Sequence, residues 1–181
     1  MDDEAAGARP PQAGTDDIRS APAVVVMGVA GSGKTVVGEA LSKALDAAYI
    51  EGDRLHPPEN VARMARGEPL TDELRAGWLD AIGESIAGTV AAGQKAVAAC
   101  SALKRSYRDR LRRFCPDVVF VYLRIDRTIA WRRVASRKGH FMPASLVDSQ
   151  FATLEEPAAD ERAMTIDGTR PVAEILRALL D

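Results

Sequence analysis

Ala23-Val24-Val25-Val26-Met27, then Gly28-Val29-Ala30-Gly31-Ser32-Gly33-Lys34-Thr35, then Val36-Val37-Gly38-Glu39-Ala40-Leu41-Ser42-Lys43-Ala44-Leu45: this stretch decides the fold. The first run is short, apolar and β-branched, the pattern of a strand buried on both faces. The last run keeps Val37, Leu41, Ala44 and Leu45 on one helical face. Between them lies a glycine loop of the form GxxxxGK followed by Thr, so the segment reads strand, loop, helix. Glycines let the backbone curl until successive N–H groups and the helix N-terminus converge on an anion. Gly28, Gly31, Ser32, Gly33, Lys34 and Thr35 are therefore the residues expected to hold a nucleotide. Lys34 is expected to reach the β and γ phosphates of ATP, and the Thr35 hydroxyl to ligate Mg2+.

Working outward, four more short apolar runs are predicted as strands, at 48–50, 96–100, 118–123 and 164–166. Helical periods fall between and after them, over 60–66, 71–92, 103–114, 128–137 and 172–180, the last opening behind Pro171. Strand and helix alternate, which predicts an α/β fold: a five-stranded parallel sheet flanked by helices on both faces. The 181 residues suit one domain, expected over 21–181. Residues 1–20, rich in Asp, Ala, Gly and Pro and without an apolar core, are expected to be a disordered tail rather than a signal peptide.

A composition of 46% hydrophobic and 28% charged residues is that of an ordinary globular protein. The formal net charge of −2 supplies no general attraction for nucleic acid or anionic lipid, so neither is expected as a partner. No apolar run approaches the ~20 residues needed to span a bilayer, and a cytoplasmic location is expected. Two cysteines, Cys100 and Cys115, and two histidines, His56 and His140, give neither a disulfide framework nor a zinc site. Both cysteines are expected reduced and buried.

In folds of this class ligands bind beyond the carboxyl ends of the strands. After the second strand comes Glu51-Gly52-Asp53, two carboxylates separated by a glycine. Asp53 is expected to accept the proton of an attacking hydroxyl, and Glu51 to orient water on Mg2+, making Thr35 and Glu51 the metal residues. A solvated acidic turn is the alternative reading. The third strand ends in Ala99-Cys100-Ser101 without the acid that motor ATPases place there, which argues against a motor. Ser101 reads either as a ligand contact or as a helix cap. Lys104 and Arg108, four apart on the next helix, are expected to face the cleft and bind an acceptor anion, with a solvated face or an RNA patch as alternatives.

Arg127, Arg132, Arg133, Arg137 and Lys138 form a second basic segment, read as a small lid around 127–142 whose Arg133 and Arg137 meet the transferring phosphate. His56 and His140 are candidate substrate contacts. Trp78 and Trp131 are expected to pack in helices, Trp78 as a possible wall of the acceptor pocket. The turn after the fifth strand, with Arg170, is the expected place for adenine.

From Val24 to Asp167 the chain resembles the bacterial-type gluconokinases, relatives of shikimate kinase and the nucleoside monophosphate kinases. The resemblance is carried by 27–35, by Glu51-Gly52-Asp53-Arg54-Leu55-His56-Pro57, by 64–72, and by Cys100-Ser101-Ala102-Leu103-Lys104. It continues in Tyr107-Arg108-Asp109, in Arg137-Lys138-Gly139-His140-Phe141, and in 150–157. It implies ATP- and Mg2+-dependent phosphorylation of the 6-hydroxyl of D-gluconate, feeding the pentose phosphate or Entner–Doudoroff route, by a homodimer. By position it places ATP on 31–35, the acceptor hydroxyl at Asp53, the acceptor near Lys104 and Arg108, and Arg133 and Arg137 in the lid. Glu51 stands where the family commonly has Asp, which moves that charge by a methylene. A shikimate kinase would carry Asp-x-Asp after the second strand and Gly-Gly-Gly after the third, a poorer fit. A nucleotide-binding switch or RNA-binding ATPase remains the reading from a different class.

Overall fold

The computed structural model describes residues 12–136, 143 and 145–181. In chain order the elements are α1 (Thr15–Ser20), β1 (Ala23–Met27), α2 (Lys34–Ala44), β2 (Ala48–Glu51), a 3-10 turn (Gly52–Leu55), α3 (Pro58–Ala65) and α4 (Asp72–Ala91). They continue with β3 (Ala96–Ala99), α5 (Arg105–Phe114), β4 (Val119–Arg124), α6 (Arg127–Ala135), α7 (Ser145–Thr153), β5 (Ala163–Asp167) and α8 (Val172–Leu180). The strands make one sheet in the order β2-β3-β1-β4-β5, with every neighbouring pair parallel.

All five residues of β1 are buried, because the strand is covered twice. Val25 and Met27 pack with Trp78, Leu79 and Ile82 of α4 and Leu111 of α5. Val24 and Val26 turn the other way, onto Val37 and Leu41 of α2 and Ile175 and Leu179 of α8. Such a strand needs no polar alternation, which is why its sequence is a continuous apolar run. With β2 and β3 on one side of β1 and β4 and β5 on the other, the connections diverge at β1 and open a crevice at its carboxyl end. A third apolar cluster, including Val29, Leu103, Ile125, Val134 and Leu146, seats the loops around that crevice.

The structure departs from the expectations in places. Residues 15–20 are not a disordered tail: Thr15–Ser20 is helical, opened by Gly14 N–H donating to Asp17 Oδ2 at 3.0 Å and closed onto the domain by the wholly buried Ile18. Residues 1–11 lie outside the described residues. Helix α7 adds to the expected helices: Leu146, Val147 and Phe151 fall on one helical face and join the apolar cluster around the crevice, where α7 packs against α6. Trp78 is buried as expected, but Trp131 stands 47% exposed.

Gly52, where β2 enters the 3-10 turn, has a steric reason. A Cβ there would lie 2.3 Å from the Ala99 carbonyl oxygen and 3.0 Å from Ile82 Cδ1, so β2 could not stay beside β3. Gly52→Ala is expected to lower unfolding free energy by about 1–3 kcal/mol, read by urea denaturation.

Candidate active site

The loop between β1 and α2 is an anion cradle by construction. Gly28, Gly31 and Gly33 take φ of 143°, 81° and 99°, in the left-handed region that favours glycine. Gly33 is the N-cap of α2 and no side chain caps that helix; its first turn holds no acid, so the positive end of the helix dipole is left for a ligand. Ala30 N–H is fixed from α7 by Gln150 Oε1 at 2.7 Å, and Lys34 Nζ donates to Val29 O at 3.1 Å. Ser32 Oγ is buried without a partner among the described residues.

The two acids after β2 do different things. Glu51 Oε2 accepts from Thr35 Oγ1 and from the Tyr49 hydroxyl, each at 2.8 Å, so its carboxylate is locked against the loop. Burial, then the hydrogen bond it donates to Glu51, push the Tyr49 hydroxyl up, which keeps it a donor. Asp53 is held by its backbone: its N–H reaches Glu51 Oε1 at 3.4 Å, and Trp78 Nε1 donates to Gly52 O at 2.7 Å. The Asp53 side chain lines an open cleft together with Lys34, Thr35, His56, Arg75 and Trp78. Its carboxylate has no protein hydrogen-bond partner among the described residues.

The residues fit Mg2+ in one specific way. Among the described residues no group of three His, Cys, Asp or Glu could hold a metal alone. Thr35 and Glu51 do bring hard oxygens to the foot of the cradle, the partial set expected when substrate phosphates and waters complete the shell.

His56 stacks on Trp78, ring centroids 4.1 Å apart and 11° from parallel. Burial, then the Arg75 charge, lower its pKa to about 4, so the imidazole is neutral at physiological pH. Its Nδ1 is buried without a partner among the described residues. Ser101 lines the same cleft and does not cap α5, whose N-cap is Lys104. Cys100 beside it is buried, its thiol pushed up to about 12 by that burial.

The cations sort differently from the sequence expectation. Arg108 cannot bind the acceptor as its side chain stands: it is wholly buried, forked onto Glu161 at 2.7 and 2.8 Å, and donates to the carbonyls of Ala102, Leu103 and Glu155. It holds the β3–α5 turn, where Ala102 takes a φ of 43°, and so acts on the cleft wall from behind. Lys104 binds Asp72 at 2.8 Å, away from the cleft lining. The basic run from 104 to 113 is largely neutralised in place, with Arg105 on Asp160, Arg110 on Asp80 and Arg112 on Asp109 and Glu161. Arg133 Nη1 ties the loop to the turn after β5, donating to Gly31 O and Gly168 O at 3.1 Å each. Both it and Arg170 line a second cleft behind the loop. Arg137 and His140 lie outside the described residues.

Gln150 and Arg75 are among the cleft residues that the sequence did not single out. Gln150 gives no signal before α7 is known to be a helix. Arg75 had one: it lies three residues before Trp78, so both share the face of α4 turned to the Asp53 turn.

The buried pair also sets acid stability. Burial alone would raise the Glu161 pKa, but hydrogen bonds from Arg108, Arg112 and Ala158 N–H outweigh it and hold the carboxyl at about 2, below the ordinary 4.5. A depressed folded-state value stabilises above pH 4.5 and is lost as pH falls toward 2. Arg108→Met, which leaves the buried Glu161 carboxylate only Arg112 and Ala158 N–H, is expected to cost about 3–5 kcal/mol in urea at pH 7. In Glu161→Gln, the fall in stability between pH 4.5 and 2 is expected to be shallower than in the native chain.

Over residues 24–157 the chain matches the AAA domain family. A Gluconobacter oxydans protein named gluconokinase is 45% identical across 157 residues, 87% of this chain and 88% of that one. The Escherichia coli protein named thermoresistant gluconokinase is 39% identical across 158 residues, 87% and 90% of the two chains. The crystal structure of a gluconokinase from Sinorhizobium meliloti superposes with a TM-score of 0.78 at 48% identity, covering 87% of this chain and 89% of that one.

Proposed function

This chain belongs to the gluconokinase family of P-loop kinases, and on that premise we propose that it moves the γ-phosphoryl group of ATP to the 6-hydroxyl of D-gluconate, giving 6-phospho-D-gluconate and ADP. One observation carries the reading: the unpartnered Asp53 carboxylate shares a cleft with Lys34 and Thr35 of the phosphate cradle. A donor held by the cradle and an alcohol held at Asp53 can be brought into line.

The loop amides and the α2 N-terminus bind the phosphates, and Lys34 follows the charge that spreads over the transferring group. Asp53 orients the acceptor hydroxyl and takes its proton as the new P–O bond forms. Thr35 and Glu51 would hold Mg2+, which when bound neutralises negative charge on the phosphates. Arg133 keeps the loop registered on the β5 turn, while the second cleft with Arg170 receives the base of the nucleotide. Ion pairing of the 104–113 run supports a small acceptor over nucleic acid. No helix of the described residues is long and apolar enough to cross a membrane, and use of ATP suits the cytoplasm.

Coupled ADP release tests the proposal with gluconate, shikimate, RNA or no acceptor. Release with gluconate alone is expected; equal turnover without acceptor, or stimulation by RNA, would overturn it.

A further inference from the structure

One guanidinium in the acceptor cleft has no assigned task. The Arg75 side chain is only 14% exposed, yet its hydrogen bonding to protein is slight. Nη1 donates to the Tyr107 hydroxyl at 3.1 Å and stands 4.0 Å from Asp72 Oδ1, while Nε and Nη2 meet no hydrogen-bond acceptor among the described residues. Its neighbours hold it in place. The Tyr107 hydroxyl also donates to Asp72, whose carboxylate is bound by Lys104, and the guanidinium carbon sits 5.7 Å from the Tyr107 ring centroid. A fork fixed on one edge by a tyrosine, with its other donors open to a cleft, is the arrangement that grips a carboxylate through two parallel hydrogen bonds. A solvated cation would have no reason to be this enclosed, since burying unpaired donors is costly.

We propose that Arg75 binds the carboxylate of the acceptor and so makes the enzyme select a sugar acid over the corresponding neutral polyol. The inference rests on the gluconokinase reading for its acceptor and adds the recognition element. The cleft then has two ends: Asp53 beside the cradle takes the hydroxyl to be phosphorylated, and Arg75 takes the acid terminus. Between them the neutral His56, flat on Trp78, offers a ring nitrogen to the polyol chain. Lys104 and Asp72 contribute by holding Tyr107 against Arg75, as positioning residues. The sequence expectation gives the acceptor anion to Lys104 and Arg108 together; those two are engaged with Asp72 and Glu161, and Arg75 is the cation that lines the cleft beside Trp78.

The test compares gluconate with sorbitol, which carries CH2OH in place of the carboxylate, in two readouts. One is equilibrium binding followed by tryptophan fluorescence, since Trp78 lines the cleft; the other is steady-state phosphorylation. Arg75→Met is expected to weaken gluconate binding and raise its KM by about 10²-fold or more, collapse the preference for gluconate over sorbitol, and leave KM for ATP unchanged. Arg75→Lys keeps the charge without the fork and is expected to fall between. Tyr107→Phe, which removes only the hydroxyl that steadies the fork, is expected to raise KM by about threefold to tenfold at unchanged kcat. Retained preference for gluconate in Arg75→Met, with gluconate still turned over, would overturn the role of Arg75 and leave the kinase reading intact. Gluconate binding that depends on Arg75 without any phosphorylation would do the reverse.

Discussion

Asp53→Asn is expected to lower kcat with gluconate by about 10²–10⁴ while KM for ATP changes little. Asparagine has nearly the shape of aspartate and can still accept a hydrogen bond from the acceptor, but it cannot take up the proton as the bond to phosphorus forms. The fold should tolerate the change, because the turn is held by main-chain groups: Trp78 Nε1 grips the Gly52 carbonyl and Glu51 receives the Asp53 N–H. An unchanged melting temperature alongside the lost turnover would separate chemistry from stability. A kcat near that of the native enzyme would reduce Asp53 to a group that positions the hydroxyl.

Lys34→Ala is expected to abolish transfer, with kcat/KM falling by at least about 10³. Two losses add here. The ammonium no longer follows charge onto the transferring group, and the contact of Lys34 Nζ with Val29 O, 3.1 Å in the structure, no longer braces the loop. Because Gly33 and the N-terminus of α2 remain, ATP should still bind, more weakly. Measuring nucleotide binding and single-turnover transfer on the same variant distinguishes these effects. Transfer within tenfold of native, at about full occupancy, would remove Lys34 from the chemistry.

Much of this fold is written locally. The five apolar runs are the five strands to within a residue at most ends, since strands buried on both faces are continuous apolar stretches that turn residues interrupt. The cradle and the Glu51-Gly52-Asp53 turn were also legible, because each needs particular residue types at fixed spacing. What sequence could not supply were partners distant in the chain. Arg108 looks like a cleft cation at helical spacing from Lys104, but whether it faces ligand or core depends on Glu161, 53 residues away. Arg75 looks like one more charge on a long helix until Trp78 and the 3-10 turn show which face of α4 meets the cleft. Ile18 of α1 makes the same point: a six-residue helix is fixed by what it packs against, and that is set by the assembled sheet.

The most direct test of the account follows the phosphorus atom. In a mixture of enzyme, ATP, Mg2+ and D-gluconate watched by phosphorus NMR, one new phosphomonoester signal should grow with ADP, split into a triplet by the two protons of C6. A doublet, placing the phosphate on a secondary carbon, or inorganic phosphate with no ester, would contradict it.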